Sequence, residues 1–313
     1  MDLPFTTLDV FTTKQLEGNP LAVVRVPASL RDRLTQPMKQ KIAQEFNLSE
    51  TVFLHDDTSK SGPETREVDI FTIQSELPFA GHPTIGTAVF VRHHLDGGEG
   101  VRTLAIKAGP IGIEPSSTPR GIRARIPHNV HLHANTLRHV LSPSADGLHP
   151  NLAIREAELD APVFSIVKGM TMVLVPLPSL DLLGEVRPLR LDFDALSPPL
   201  LDEGWREGLV MRYYYVDVKD AEAQDGVRCL RTRMVELGFE DPATGSAASG
   251  LCAYLTLEQA KKGARFQVTQ GVEMGRKSVI SVETMVGEGG KLSEVYLGGT
   301  AVVVMQGTLR VDV

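Results

Sequence analysis

Two stretches of this sequence bring an acid, a proline, small residues and a glycine turn to the mouth of an apolar helix. One runs Phe239-Glu240-Asp241-Pro242-Ala243-Thr244-Gly245-Ser246-Ala247-Ala248-Ser249-Gly250 and leads into Leu251, Cys252, Tyr254 and Leu255. The other runs Glu76-Leu77-Pro78-Phe79-Ala80-Gly81-His82-Pro83-Thr84-Ile85-Gly86-Thr87-Ala88. A helix starting at such a turn aims its first free N–H groups at whatever lies in front of it. With the Thr244 and Ser246 hydroxyls beside them, those groups suit a carboxylate. Two mouths of the same build imply two related halves.

The elements that must hold these mouths follow from periodicity. Thr6 to Phe11 and Leu21 to Val26 read as a hairpin around the turn Glu17-Gly18-Asn19-Pro20. Leu34, Met38, Ile42 and Phe46 recur every fourth residue and predict an amphipathic helix over 35–46, with Pro37 in its first turn. Asn47-Leu48-Ser49-Glu50 ends that helix and Thr51 to Leu54 begins a strand, so Glu50 stands immediately before residues expected to be buried. Further strands are expected at 68–73, 102–107, 111–114 and 122–126, with a helix over 84–94 between the first two. This makes a mostly antiparallel unit over 1–126. The last C-terminal strand is a candidate to complete it.

The second unit, 127–313, repeats the style. Strands are expected at 163–167, 171–175, 209–218 and 227–234, then a helix over 246–259, then strands at 265–272, 278–284, 294–297 and 301–305. A short helix is expected around Phe193 to Leu196. The segment 127–160 scatters His128, His131, His133, His139 and His149 among Pro, Asn, Ser and Asp; spacing alone does not make a ligand set, and a surface linker with one helix is the reading taken, with no metal. Strands with few helices and no regular βαβ alternation point to an α+β fold.

Composition narrows the function classes. The 313 residues suit two domains, and a hydrophobic content of 42% is enough to build cores. With 32 basic and 39 acidic residues the net charge is −7 and no basic run stands out, which argues against nucleic acid or an anionic membrane as partner. The start Met1-Asp2-Leu3-Pro4-Phe5 has no signal-peptide pattern. The run from Met170 to Leu180 is far short of the roughly 20 apolar residues of a spanning helix, so a cytoplasmic protein is expected. There is no Gly-x-Gly-x-x-Gly after a strand and no Walker lysine, hence no local support for nucleotide binding. Cys229 and Cys252 are too few for a disulfide framework and lack metal-like spacing.

Asn19-Pro20, Leu48-Ser49-Glu50-Thr51, the stretch from Glu76 to Gly86 and the stretch from Glu240 to Ala247 together resemble the PhzF (phenazine biosynthesis-like) family, in the family's order and over nearly the whole chain. The last two motifs are long and specific. The resemblance implies a diaminopimelate epimerase-like fold: two pseudo-symmetric domains, each a mostly antiparallel sheet wrapped around a central helix, with the active site in the cleft between them. It also implies roles. Glu50 matches the family's general acid/base and His82 and Asp241 its active-site partners. Gly245 and Ser246 match the substrate-binding turn, with Gly81, Thr244 and Asn19 beside the substrate. Homodimers are implied too. Gly81 and Asp241-Pro242 fall about where epimerase relatives place two cysteines, which argues against thiol-based epimerisation.

Two departures concern the pocket wall. The run Val235-Glu236-Leu237-Gly238-Phe239-Glu240 is shorter than the family's and lacks its proline, and Ile73 stands where a proline often follows the Phe71-Thr72 pair. The expected function is a cofactor-independent isomerase that moves a proton between carbons of a small carboxylate-bearing, cyclic or unsaturated substrate, with Glu50 as acid/base. The alternative is a non-catalytic metabolite-binding or protein-interaction module that retains the cleft.

Overall fold

The computed structural model describes residues 1–56, 62–219, 226–236 and 238–312. Leu237, within the shortened run, lies outside the described residues. The chain forms two compact units, Met1–Arg125 with Leu297–Val313, and Ile126–Tyr296.

The first unit is built on β1 (Asp2–Val10), β2 (Asn19–Val26), α1 (Gln36–Phe46), β3 (Thr51–His55), β4 (Thr65–Phe71), β5 (Glu76–Leu77), α2 (Gly81–His94), β6 (Thr103–Ile106), β7 (Gly109–Pro115) and β8 (Ile122–Arg125), with the final strand β18 (Ala301–Arg310) returning to it. The hairpin β1–β2 is antiparallel, β2 and β3 run parallel, and β3–β4 and β4–β5 are antiparallel. β6 joins β4 in parallel and pairs antiparallel with β7. β18 pairs antiparallel with the other side of β1 from Asp2↔Arg310 to Val10↔Ala301. The first unit thus includes the last strand, and the second unit spans Ile126–Tyr296.

The second unit contains β9 (His131–Leu132), α3 (Leu137–Val140), α4 (Leu152–Asp160), β10 (Val163–Val167), β11 (Gly169–Pro176), α5 (Leu180–Glu185), β12 (Gly208–Val218), β13 (Val227–Glu236), β14 (Phe239–Asp241), α6 (Gly245–Glu258), β15 (Gly263–Gln270) and β16 (Ser278–Val286); the chain leaves it within β17 (Leu292–Gly299). Its pairings repeat those of the first unit step for step. β10–β11 is antiparallel and β11–β12 parallel. β12–β13 and β13–β14 are antiparallel, β13–β15 is parallel and β15–β16 antiparallel. In both units the helix mouth follows a short strand paired on the edge of its predecessor. This is the α+β, pseudo-symmetric architecture the motifs imply.

Each unit wraps its sheet around one helix. In α2, eleven consecutive residues from Gly81 to Val91 are buried. In α6, Gly245, Ala247 to Ala253, Leu255 and Thr256 are buried. Both helices are 14 residues long and carry a glycine five positions after their first residue, Gly86 and Gly250. A helix apolar on every side must be covered on every side, and these two are. By contrast α1 buries only Lys39, Ile42 and Ala43, as its four-residue repeat requires of an outer helix.

Some local expectations shift. Helix α2 begins at Gly81, not Thr84, because the Ala80 carbonyl accepts both the Thr84 amide (3.3 Å) and the Thr84 hydroxyl (2.7 Å); His82 is thereby the second residue of the helix. The helix expected near 193–196 is absent there: Asp192 Oδ1 accepts the Ala195 amide at 3.2 Å in a local turn. The helix in that region lies earlier, at α5, where Ser179 Oγ accepts the Leu182 amide at 3.3 Å. The segment 127–160 holds two short helices rather than one. Among the described residues no helix is long and apolar enough to cross a membrane.

Candidate active site

In the first unit, strand parity selects the face on which the site can form. Leu21, Val23, Val52 and Leu54 are buried on the side of the sheet that receives α2: a Cβ on Gly86 would meet Leu21 Cδ2 and Val10 Cγ2, each at 2.6 Å. Asn19 and Glu50 share the parity of these residues, two positions before Leu21 and Val52. Asn19 is the first residue of β2 and Glu50 immediately precedes β3, with His82 of α2 within 3.5 Å of Glu50. Asn19 is 2% exposed.

Glu50 is delivered there by a tight exit from α1. Asn47 adopts the left-handed conformation (φ 51°, ψ 35°) and its amide bonds to Ala43 O at 3.1 Å, which ends the helix and turns the chain into β3 within three residues. The Glu50 side chain is 17% exposed, and its Oε2 lies 3.5 Å from His82 Nδ1. That oxygen is buried and makes no hydrogen bond. Burial holds the Glu50 carboxyl above the ordinary glutamate range, against a smaller opposing effect of its hydrogen bond with the Ser49 side chain. A carboxyl in this condition holds its proton more firmly than an exposed one, yet can still release it. Ala80, the residue before α2, makes no side-chain cap to the helix, and Pro83 has no amide to offer.

In the second unit the corresponding mouth carries Asp241. The three-residue strand β14 is tied to β13 by Met234↔Asp241 pairing and by a bidentate ion pair, with Arg233 Nε and Nη2 each 2.7 Å from a Glu240 carboxylate oxygen. Arg233 Nη1 also donates to Leu183 O at 2.9 Å and Val186 O at 2.8 Å. Thr244 is the N-cap of α6, but its hydroxyl donates backward to Asp241 Oδ2 at 2.6 Å and makes no capping bond. The first amides of α6, from Gly245 and Ser246, are therefore left uncapped by it. The Thr244 hydroxyl itself is engaged within the protein.

Three residues that motif reading did not single out support this turn. Gln270, the buried last residue of β15, donates from Nε2 to Asp241 O (2.8 Å) and Thr244 Oγ1 (3.0 Å), and its Oε1 accepts from Thr244 N (3.3 Å). The Tyr213 hydroxyl lies 2.8 Å from Gln270 Oε1 and 2.9 Å from Thr232 Oγ1. A signal was present: Phe266, Val268 and Gln270 keep one inward phase along β15, and an amide in the apolar phase of a strand needs partners inside.

The other candidates do different work. Cys252 is fully buried in α6, where burial pushes its thiol well above the ordinary range; Cys229 is 5% exposed. Neither is placed at a helix mouth. Of the histidines in 127–160, His139 Nδ1 accepts the Thr136 amide in a capping box and His149 Nδ1 accepts the Asn151 amide. His131, His133 and Asp202 bring potential ligand atoms within 4.8 Å of one another. Yet His133 Nδ1 already accepts the Asp202 amide at 3.1 Å, its Nε2 meets Ser165 Oγ at 2.9 Å, and burial lowers its pKa to about 4. His131 stacks on Trp205 at 4.6 Å. The trio is a packed hydrogen-bonded cluster that fastens the chain around Asp202.

A family model described as phenazine biosynthesis-like protein matches residues 8–307. The chain belongs to that family. Among members of the phenazine biosynthesis-like family it is 34% identical over 314 residues to an uncharacterised isomerase of Mesorhizobium japonicum, covering 96% of each chain. It is 30% identical over 311 residues to the trans-2,3-dihydro-3-hydroxyanthranilate isomerase of Pseudomonas fluorescens, covering 97% of this chain and 98% of that one. The crystal structure of a PhzF-family phenazine biosynthesis protein of Bacillus anthracis superposes with a TM-score of 0.74 at 22% identity, over 99% of this chain and all of that one; this likeness speaks to the fold. The enzyme class of these curated relatives is isomerase.

Proposed function

We propose that this isomerase moves a proton between two carbons of a small, cyclic or unsaturated carboxylate, with Glu50 as the group that removes the proton and returns it. The observation carrying the reading is Glu50 itself: a carboxyl raised by burial, with Oε2 unbonded and 3.5 Å from His82, beside an uncapped helix mouth. Removal from one carbon and delivery to another leaves the substrate's atoms and electrons unchanged in number, so one carboxyl suffices. Negative charge that develops on the substrate meanwhile is met by helix-terminal amides. His82 is assigned to orient Glu50, and Asn19 and Gly81 to line the substrate beside it. Asp241, Gly245 and Ser246 are assigned to hold the substrate in the same reaction, with Thr244 behind them. We assign no cofactor. The named activity of the Pseudomonas fluorescens relative makes trans-2,3-dihydro-3-hydroxyanthranilate the first substrate to try.

In deuterium oxide, wild-type protein should incorporate deuterium into that compound or into another member of a panel of cyclic carboxylates. Glu50→Gln should lower the rate by about 10²–10⁴-fold, the range of general acid/base contributions, while retaining ligand-induced thermal stabilisation. Normal turnover by the variant would remove Glu50 from the role. Stabilisation across the panel without exchange in the wild type would favour a binding module instead.

A further inference from the structure

The hydrogen bonds around Gln270 have only one consistent direction. Its side-chain amide faces two backbone groups whose roles cannot change: the Thr244 N–H, a donor, at 3.3 Å and the Asp241 carbonyl, an acceptor, at 2.8 Å. Oε1 must therefore point to Thr244 N and Nε2 to Asp241 O; the flipped amide would oppose two donors and two acceptors. With the amide so placed, Nε2 also donates to Thr244 Oγ1 at 3.0 Å. The single proton of the Thr244 hydroxyl must then go elsewhere, and Asp241 Oδ2 lies 2.6 Å away. At the other end, Oε1 takes the Tyr213 proton at 2.8 Å, so Tyr213 can only accept from Thr232. Burial pushes the Tyr213 hydroxyl far above its ordinary range, so that proton stays in place. Thr232, Tyr213 and Gln270 are each fully buried. The result is a polarised chain, Thr232 to Tyr213 to Gln270 to Thr244, that ends on a carboxylate oxygen.

We propose that Gln270 is a positioning residue for the reaction assigned above: by aiming the Thr244 hydroxyl proton at Oδ2 it presents Asp241 as an ionised hydrogen-bond acceptor, so that the travelling proton is left to Glu50. The inference rests on that functional reading for its purpose, but not for its geometry. Asp241 then acts by attracting and orienting donors on the substrate, whereas Glu50, without a hydrogen bond on Oε2, is free to exchange its proton.

The test reads Asp241 directly, by carbon-13 NMR titration of labelled aspartate carboxyls, with Asp241→Asn to assign the resonance. Thr244→Val removes only the last link; it should move the Asp241 titration to higher pH by about one unit, the effect of losing a hydrogen bond to the charged form. Thr244→Ser, which keeps the hydroxyl, should leave it in place. Gln270→Glu adds the sharper signature. When ionised, the introduced carboxylate can only accept, so it draws the Thr244 proton away from Asp241; activity should fall at neutral pH and recover as the new carboxyl is protonated. A purely structural role would lower activity in parallel at every pH. An unchanged Asp241 titration in Thr244→Val overturns the proposal, whether or not Glu50→Gln abolishes exchange. Loss of Glu50 dependence with the Asp241 shift intact would overturn the functional reading alone.

Discussion

Glu50 and Asp241 are both carboxylates near helix mouths, and their surroundings treat them differently. Glu50 has lost water and received no hydrogen bond on Oε2, whereas Asp241 receives the Thr244 hydroxyl. On the proposed reading, that difference leaves the proton to Glu50 and the holding of the substrate to Asp241. The raised Glu50 pKa has two pH consequences. Activity that needs the ionised base should decline on the acid side at a pH above the ordinary glutamate value of about 4.3, as a kcat/KM profile would record. For stability the sign is opposite to that of a paired acid: the folded state favours protonated Glu50, a contribution present at low pH and lost as pH rises through the folded value. Glu50→Gln should therefore melt at a higher temperature than wild type near neutrality, with the gap closing as pH falls below the glutamate range. A gap that widens on acidification would show that the carboxyl is stabilised by charge rather than strained by burial.

At the scale of elements, the two central helices are held at their distance by glycine, but with unequal tolerance. A Cβ at Gly86 would meet Val10 Cγ2 and Leu21 Cδ2 at 2.6 Å, with Val10 fixed in the β1–β2 hairpin. At Gly250 the near atom is Met172 Cε at 1.9 Å, the far end of a flexible side chain, with Met172 Sδ at 3.6 Å and Ile166 Cβ at 3.7 Å beyond it. Gly86→Ala should cost about 1–3 kcal/mol through overpacking and lift the α2 mouth from Glu50, lowering kcat as well as stability. Gly250→Ala should cost less, because Met172 can turn away. Urea unfolding of the two variants makes the comparison; equal losses would contradict it.

Across the whole molecule, the repeated order of pairings explains why two helix mouths occur in one chain. The first unit closes only with the last strand: β18 covers β1 along its full length, from Asp2 to Val10. A chain ending at Gly299 would leave β1 as an unpaired edge and expose backbone groups along it. Such a truncation should lose the cooperative unfolding of the first unit and gain a tendency to self-associate, observable by calorimetry and light scattering. A melt indistinguishable from full length would refute this. The second unit keeps its charge inside instead. Arg212, fully buried, donates to Glu236 at 2.8 Å and Glu158 at 3.1 Å, and Tyr214 donates to Glu158 at 2.5 Å. Buried ions persist only where partners replace water.

Much of this was legible in the residues. The central helices are apolar on all sides, α1 repeats every fourth residue, and both glycine turns stand in the sequence with their acids and prolines. Those features are local, because helix period, capping and turn chemistry act over a few residues. They sufficed for the α+β class and for the two halves, while Glu50, His82 and Asp241 became candidates through the resemblance of their motifs to the phenazine biosynthesis-like family. Local pattern could not place the start of α2 at Gly81, where a carbonyl of Ala80 takes both groups of Thr84, and it offered the last strand to the first unit without naming β1 as its partner. It could not find Gln270, Tyr213 and Thr232 either, since their meaning lies in partners on other strands. Above all, the burial of Glu50 and its distance from His82 exist only in the folded chain. Desolvation is a property of what surrounds a group, and its sequence neighbours supply only part of that.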